Sequence, residues 1–186
     1  MTCGSFIRSL CVAATVALLA QAALAPPAEA DSMPGALNGQ SAAQLPVADR
    51  IVVFKRERRL ELWQGVDVLR RYRISLGLNP VGHKEREGDF RTPEGRYRLV
   101  RRNSRSDYFL SLQVSYPNES DRRNARRLGV RPGGSIMIHG LPNDPRYAPD
   151  YYSRQDWTDG CIALSNADML EVWLLVPDNI PIEILP

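Results

Sequence analysis

The sequence predicts a mainly β domain with short helices, an α+β fold. Between Arg50 and Ser115 the apolar residues come in short runs, each closed by charged or Gly/Pro/Asn turns, which is the pattern of successive strands. Only two later segments carry helix-start signals, one after Asn118 and one after Ser165, and the chain closes on a strand-like run from Ile180 to Leu185.

Taken in order, Ile51-Val52-Val53-Phe54 is the first strand, Lys55 to Arg59 a charged turn, and Leu60-Glu61-Leu62-Trp63 the second strand, ended at Gln64-Gly65. Val66 to Leu78 continues the meander, with Val68, Tyr72, Ile74 and Leu76 spaced for one buried face. A turn-rich loop from Asn79 to Glu94 follows, and His83, among Lys84, Glu85 and Arg86, reads as an exposed loop residue. Gly95 to Val100 and Phe109 to Ser115 are further strands. Asn118 or Ser120 caps a helix that Gly129 terminates, with Asp121 at its positive end and Arg126 and Arg127 at its negative end. Ile136 to Ile138 is a short strand delivering His139. Ser165 caps the second helix, whose Met169, Val172, Trp173 and Val176 form one apolar stripe expected in the core.

Residues 1–30 have the layout of an export leader. Arg8 supplies a positive charge, Leu10 to Ala25 is almost uninterrupted apolar sequence, and Ala28-Glu29-Ala30 presents small residues at a cleavage site. The apolar run is short for a stable membrane span. Residues 31–49, rich in Pro, Gly, Ser and Ala, read as a flexible tether. The expectation is an exported protein, periplasmic or wall-associated, with its domain over 50–186.

Removing Arg8 and Glu29 with the leader lowers the 24 basic and 21 acidic side chains by one each and leaves the net charge at +3. Interleaved Arg and Glu of this kind coat a solvated face, and outside the cytoplasm no nucleic-acid partner is expected. Of the three cysteines, Cys3 and Cys11 leave with the leader and Cys161 stands alone. An unpaired thiol in an oxidising compartment calls for an explanation beyond packing. Two histidines and one cysteine, far apart in the chain, lack the short-spaced ligand pair of a zinc site, so neither metal nor cofactor is expected.

Ser135 to Asn166 concentrates the chemistry. A strand end is a good place to fix His139 as a base, and a thiol within its reach is a nucleophile. Gly160 permits a tight turn beside Cys161, where the Gly160 and Cys161 N–H groups could converge on an oxyanion.

These residues resemble the YkuD-type L,D-transpeptidase catalytic domain family. His139-Gly140, the loop, and Thr158-Asp159-Gly160-Cys161-Ile162 are similar to its HG and [ST]HGCxR signature, and Glu87-Gly88-Asp89-Phe90-Arg91-Thr92-Pro93-Glu94-Gly95-Arg96-Tyr97 resembles its GDxxTPxGxY segment. The resemblance covers about Arg50 to Pro186. It implies a curled mixed β-sandwich with a capping loop, acting on peptidoglycan stem peptides. Cys161 would attack the carbonyl of the third stem residue and form a thioester that an amine resolves, with His139 lowering the thiol's pKa. Gly140, Trp157, Thr158 and Asp159 are the candidates for substrate contact around that pair.

Two positions depart from the pattern. Asp159 stands where the signature has histidine, and Ala163 where it has arginine. Trp157 to Met169 is instead similar to a YafK-like branch, which includes hydrolases that release a lipoprotein from peptidoglycan, so a peptidoglycan-linked lipoprotein joins the expected partners. A wall-binding module with an incidental thiol is the non-enzymatic alternative. Asp159, beside the thiol, is expected to be turned away and tied by a backbone N–H or an arginine.

Overall fold

A computed structural model describes residues 45–186; the leader over 1–30 and most of the tether over 31–49 lie outside the described residues. The domain starts slightly before Arg50. Ala48 is buried and its N–H donates to Leu175 O at 2.8 Å, and the Asp49 N–H donates to Trp63 O at 2.8 Å.

The first three strands, β1 (Arg50–Phe54), β2 (Arg59–Gln64) and β3 (Asp67–Arg73), form the antiparallel meander. The closing strand β8 (Pro181–Leu185) lies parallel to β1 on its other side. A long strand, β4 (Gly95–Ser106), then bridges two halves of the sheet. Its first residues pair with β8 and its later ones with β5 (Phe109–Val114), across a register shift between Leu99 and Arg101. β6 (Met137–His139) pairs antiparallel with β5 and parallel with β7 (Ile162–Ala163). The sheet is therefore mixed, in the order β3-β2-β1-β8-β4-β5-β6-β7.

The curl closes where Val66 to Leu78 stops being one strand. After Arg73 the Ile74 N–H donates to Arg58 O, and Ser75 then exchanges both backbone bonds with Ala163 at 2.8–2.9 Å. Ser75–Ala163 and Gly77–Thr158 are bridges that tie the end of β3 to the β7 edge. The same segment satisfies its backbone on two partners in turn, which an unbroken alternation pattern does not reveal.

Inside the curl, Ile51, Val53, Leu60 and Leu62 meet Leu112, Val114, Ile138, Ile162, Ile182 and Ile184. Each such side chain contributes about 1.5–3 kcal/mol relative to exposure. Helix α1 (Glu119–Leu128) begins with a capping box, Asn118 accepting from Asp121 N–H and Asp121 accepting from Asn118 N–H, and ends on Gly129 at φ 67°. Helix α2 (Pro149–Arg154) is a short turn of helix that the Pro/Tyr-rich loop pattern did not predict; Pro149 opens it and the buried Tyr152 holds it down. Helix α3 (Asn166–Leu175) is capped by Ser165, which accepts from Asp168 N–H at 3.1 Å. Met169, Val172 and Val176 are buried as expected, but Trp173 sits at the edge of the core with the Arg102 guanidinium 3.9 Å over its ring.

Two lysines expected in solvated turns are buried instead. Lys55 Nζ donates to Gly82 O, Thr92 O and Glu94 Oε1 at 2.6, 2.9 and 2.7 Å. Burial lowers its pKa, against the pull of Glu94. Lys84 Nζ donates to Asp89 Oδ1 at 2.7 Å and to Arg86 O at 3.1 Å. Burial by itself would raise Asp89, but Lys84 and the N–H groups of Arg86, Glu85 and Arg91 outweigh it and the net shift is down. Both ammonium groups organise the loop between Asn79 and Glu94, whose backbone has few strand partners of its own.

Candidate active site

The organised loop matters because it presses on the turn before Cys161. A Cβ on Gly160 would stand 2.6 Å from Arg91 O, and one on Gly77 would stand 2.1 Å from Phe90 O. Gly160 also has φ 124°, a conformation that side chains rarely adopt. The two glycine-containing motifs of the sequence thus meet in space, one forming the seat of the other.

Thr158 staples the turn. It is buried, its hydroxyl donates to Cys161 O at 2.8 Å, and it accepts the Gly160 N–H at 3.1 Å. The Gly160 N–H is therefore occupied, which corrects the expectation that it stands free beside the Cys161 N–H for an oxyanion. The thiol lies at a partly exposed position. Its sulfur receives the Met137 N–H at 3.4 Å, and its S–H points to Ser135 O at 3.6 Å, a carbonyl aimed by Ser135's positive φ of 55°.

His139 ends β6, flanked by Ser111 of β5 and Ala163 of β7. Its Nδ1 lies 2.7 Å from Gly140 O. A carbonyl can only accept, so Nδ1 carries the hydrogen and Nε2 is left with its lone pair. Tyr108 and Trp157 flank the ring, with centroids 4.7 and 5.7 Å away. Burial pulls the His139 pKa down to about 4, opposed only in part by the Gly140 carbonyl. Burial also raises the Cys161 thiol, Asp159 raises it further, and the Met137 N–H and Lys84 counter. Both shifts favour the neutral form, of the imidazole and of the thiol. His139, expected to lower the thiol's pKa, is not among the influences that shift it.

His139, Trp157, Thr158, Asp159 and Cys161 line one cavity of about 500 Å³. Gly140 does not. A Cβ there would meet Asn166 Oδ1 at 2.6 Å and Phe109 Cβ at 2.9 Å, so this glycine lets the β5 hairpin and α3 approach and offers its carbonyl to His139. The lining also includes residues that were not candidate site residues in the sequence: Asn103, Arg105, Asp107 and Tyr108 of the β4–β5 hairpin, and Ser111. Polar residues on a hairpin tip carry no motif, and only pairing of β5 with β6 brings them to His139.

Asp159 is exposed and, among the described residues, has no hydrogen-bond or ion-pair partner, contrary to the tie expected for it. It lines both the Cys161 cavity and a neighbouring one of about 540 Å³ with Lys84 and Arg131. Ala163 is buried and faces a separate groove with Arg73 and Tyr152. His83 stands apart from the site. Its Nδ1 accepts the Glu94 N–H at 3.0 Å and its Nε2 lies 3.2 Å from Asp121, so the exposed loop histidine of the sequence reading is a half-buried tie between the loop and α1. Among the described residues no three His, Cys, Asp or Glu side chains converge as a metal site. Nor is any described helix long and apolar enough to cross a membrane.

A curled mixed sheet presenting an imidazole and a lone thiol at one cavity defines a thiol–imidazole domain. The family model of the YkuD L,D-transpeptidase catalytic domain matches residues 48–184, and the chain belongs to that family. It is 30% identical over 132 residues to YafK of Escherichia coli K12, covering 68% of this chain and 46% of YafK. It is similar in structure to the helical cell shape determining protein Pgp2 of Campylobacter jejuni (K307A mutant), with a TM-score of 0.57 and 25% identity over 76% of this chain and 49% of Pgp2. Bd1075 of Bdellovibrio bacteriovorus shares the fold, with a TM-score of 0.53 and 23% identity over 76% of this chain and 51% of Bd1075. The chain spans about half the length of the curated relatives it matches.

Proposed function

We propose that this protein is an exported cysteine acyltransferase that remodels peptidoglycan by acting on its stem peptides. The observation that carries the reading is the His139 ring, held through Nδ1 with Nε2 free, on the cavity that also holds the Cys161 thiol. Family membership supplies the substrate class.

With both groups shifted toward their neutral forms, the proton moves during attack rather than before it. Cys161 gives its proton to His139 Nε2 as the sulfur bonds to the carbonyl carbon of the third stem residue. The oxyanion that forms draws on the Cys161 N–H, since the Gly160 N–H is held by Thr158. Collapse breaks the C–N bond, and the departing amine takes the proton back from His139, leaving a thioester. An acceptor amine then attacks the thioester, giving its proton to His139, and the Cys161 sulfur leaves and recovers it. With water in the amine's place the same steps amount to hydrolysis.

The deciding experiment is product analysis after incubation with purified sacculi, with and without attached lipoprotein, for the wild type and Cys161→Ala. New cross-links or exchanged stem termini that require Cys161 are the expected result. Release of lipoprotein free of muropeptide, without new cross-links, would make the protein the hydrolase instead, and retention on sacculi with no covalent change would make it a wall-binding module. The export expectation is checked separately by the fractionation of tagged protein.

A further inference from the structure

The proposed chemistry leaves open what holds the charged end of the stem. Ala163 occupies the position where the family signature has arginine, but it is buried and faces another groove, so a cationic handle for the Cys161 cavity has to come from elsewhere. Among the residues lining that cavity the cationic side chain is Arg105.

Its placement is built into β4. Asn103 pairs with Ser111 and Ser106 with Phe109, so Ser104 and Arg105 together stand against the single Leu110 and the strand carries one extra residue there. Such a bulge re-aims a side chain out of the regular alternation. The Asn103 side chain pins it by accepting the Arg105 N–H at 3.0 Å. Arg98 and Arg102 on the same strand are committed, Arg98 to Asn179 and Arg102 to the Trp173 and Val176 carbonyls. The Arg105 guanidinium is exposed and, among the described residues, makes no hydrogen bond or ion pair. The cavity's other charges, Asp107 and Asp159, would repel an anion, which directs a carboxylate to Arg105.

We propose that Arg105 binds the free terminal carboxylate of the stem peptide and so selects stems that end in an unmodified carboxylate over stems whose end is joined to another group. This rests on the acyl-transfer reading and names its substrate class. A guanidinium offers two parallel N–H donors to a carboxylate, and a carboxamide cannot use that fork in the same way.

The test pairs a synthetic tetrapeptide stem with its C-terminal carboxamide, measuring kcat/KM of the purified protein for both. Wild type is expected to prefer the acid by about 10- to 100-fold, the range for one charge-assisted contact. Arg105→Gln should lose that factor on the acid, chiefly in KM, and change little on the amide; Arg105→Lys should keep part of the preference. Equal losses on both peptides, or none, would overturn the assignment. If wild type turns over neither peptide, the acyl-transfer reading fails, and calorimetric binding to Cys161→Ala still decides the role of Arg105. A preference for the acid that disappears in the double variant with Arg105→Gln supports it, and equal binding of the two peptides sinks it.

Discussion

The chain's two histidines are a matched pair with opposite fates. His83 has both ring nitrogens committed, one accepting from the Glu94 backbone and the other against the Asp121 carboxylate, in a region where Asp121 also takes the Tyr97 hydroxyl and closes the α1 capping box. His139 has one nitrogen committed and one free, and its ring is walled by Tyr108 and Trp157. What separates the structural histidine from the one proposed to react is the valence left over, not exposure: the candidate base is the more buried of the two.

The sharpest way to break this contrast is to remove each ring in turn. His139→Ala is expected to slow acylation of Cys161 by an acyl donor by about 100- to 10,000-fold, the range for a positioned base. His83→Ala should leave the same rate within a few-fold. Intact-protein mass spectrometry against time, with a carbapenem as donor and Cys161→Ala as the blank, measures both. A comparable loss in the two variants would mean that His83 and its loop are part of the chemistry.

The contrast also has a pH signature. His139 is pulled from its ordinary value of 6.5 to about 4 by burial, so between those values the unfolded chain binds a proton that the folded chain refuses. Stability therefore rises with pH through that window and is lost on acidification, by roughly 3 kcal/mol in total. Urea midpoints between pH 7 and pH 4.5 should fall more steeply in wild type than in His139→Asn. The acid limb of kcat/KM should likewise sit near the lowered value, since the base must be neutral. Parallel urea curves for the two proteins would show that His139 is not desolvated.

How much of this was legible beforehand depended on whether a residue's partner was near it in the chain. The first two strands of the meander, the Asn118 and Ser165 caps and the Gly129 stop are local, and they stand where the pattern put them. That His139 and Cys161 line one cavity was anticipated because a lone thiol and a histidine at a strand end are rare residues in telling places. The burial of Lys55 and Lys84 was not visible, because their acceptors lie in backbone carbonyls and carboxylates that only the folded loop brings together. The cavity lining by Asn103, Arg105 and Tyr108 was hidden for a related reason: strand pairing brings the hairpin to His139 and a bulge re-aims Arg105, with no motif to mark either.

At His83 the expected effect is smaller and falls on stability. Replacing its ring by alanine strands the Glu94 N–H and removes one of the partners of the buried Asp121 carboxylate. An unsatisfied buried polar group costs about 1–3 kcal/mol. Denaturant titration at pH 7 should show a loss of that size, with the unfolding slope unchanged. A neutral result would mean that water replaces the ring and that the loop does not depend on it.

The smallest effect concerns the charge next to the thiol, where the site departs from the pattern it resembles. Asp159 is exposed, unpaired among the described residues, and one of the influences holding the Cys161 thiol above its ordinary range, though burial is the larger one. Asp159→Asn removes the charge at nearly constant shape and leaves the Gly160 turn and the Thr158 staple untouched. The pH midpoint of iodoacetamide alkylation should therefore move down, toward the ordinary thiol value without reaching it, because burial remains. His139→Asn should not move that midpoint up, since a neutral imidazole lends the thiolate no charge to lose. If Asp159→Asn left the midpoint where it was while His139→Asn raised it, the thiol would already be paired with an imidazolium in the free protein. The two groups would then share a proton before any substrate arrives.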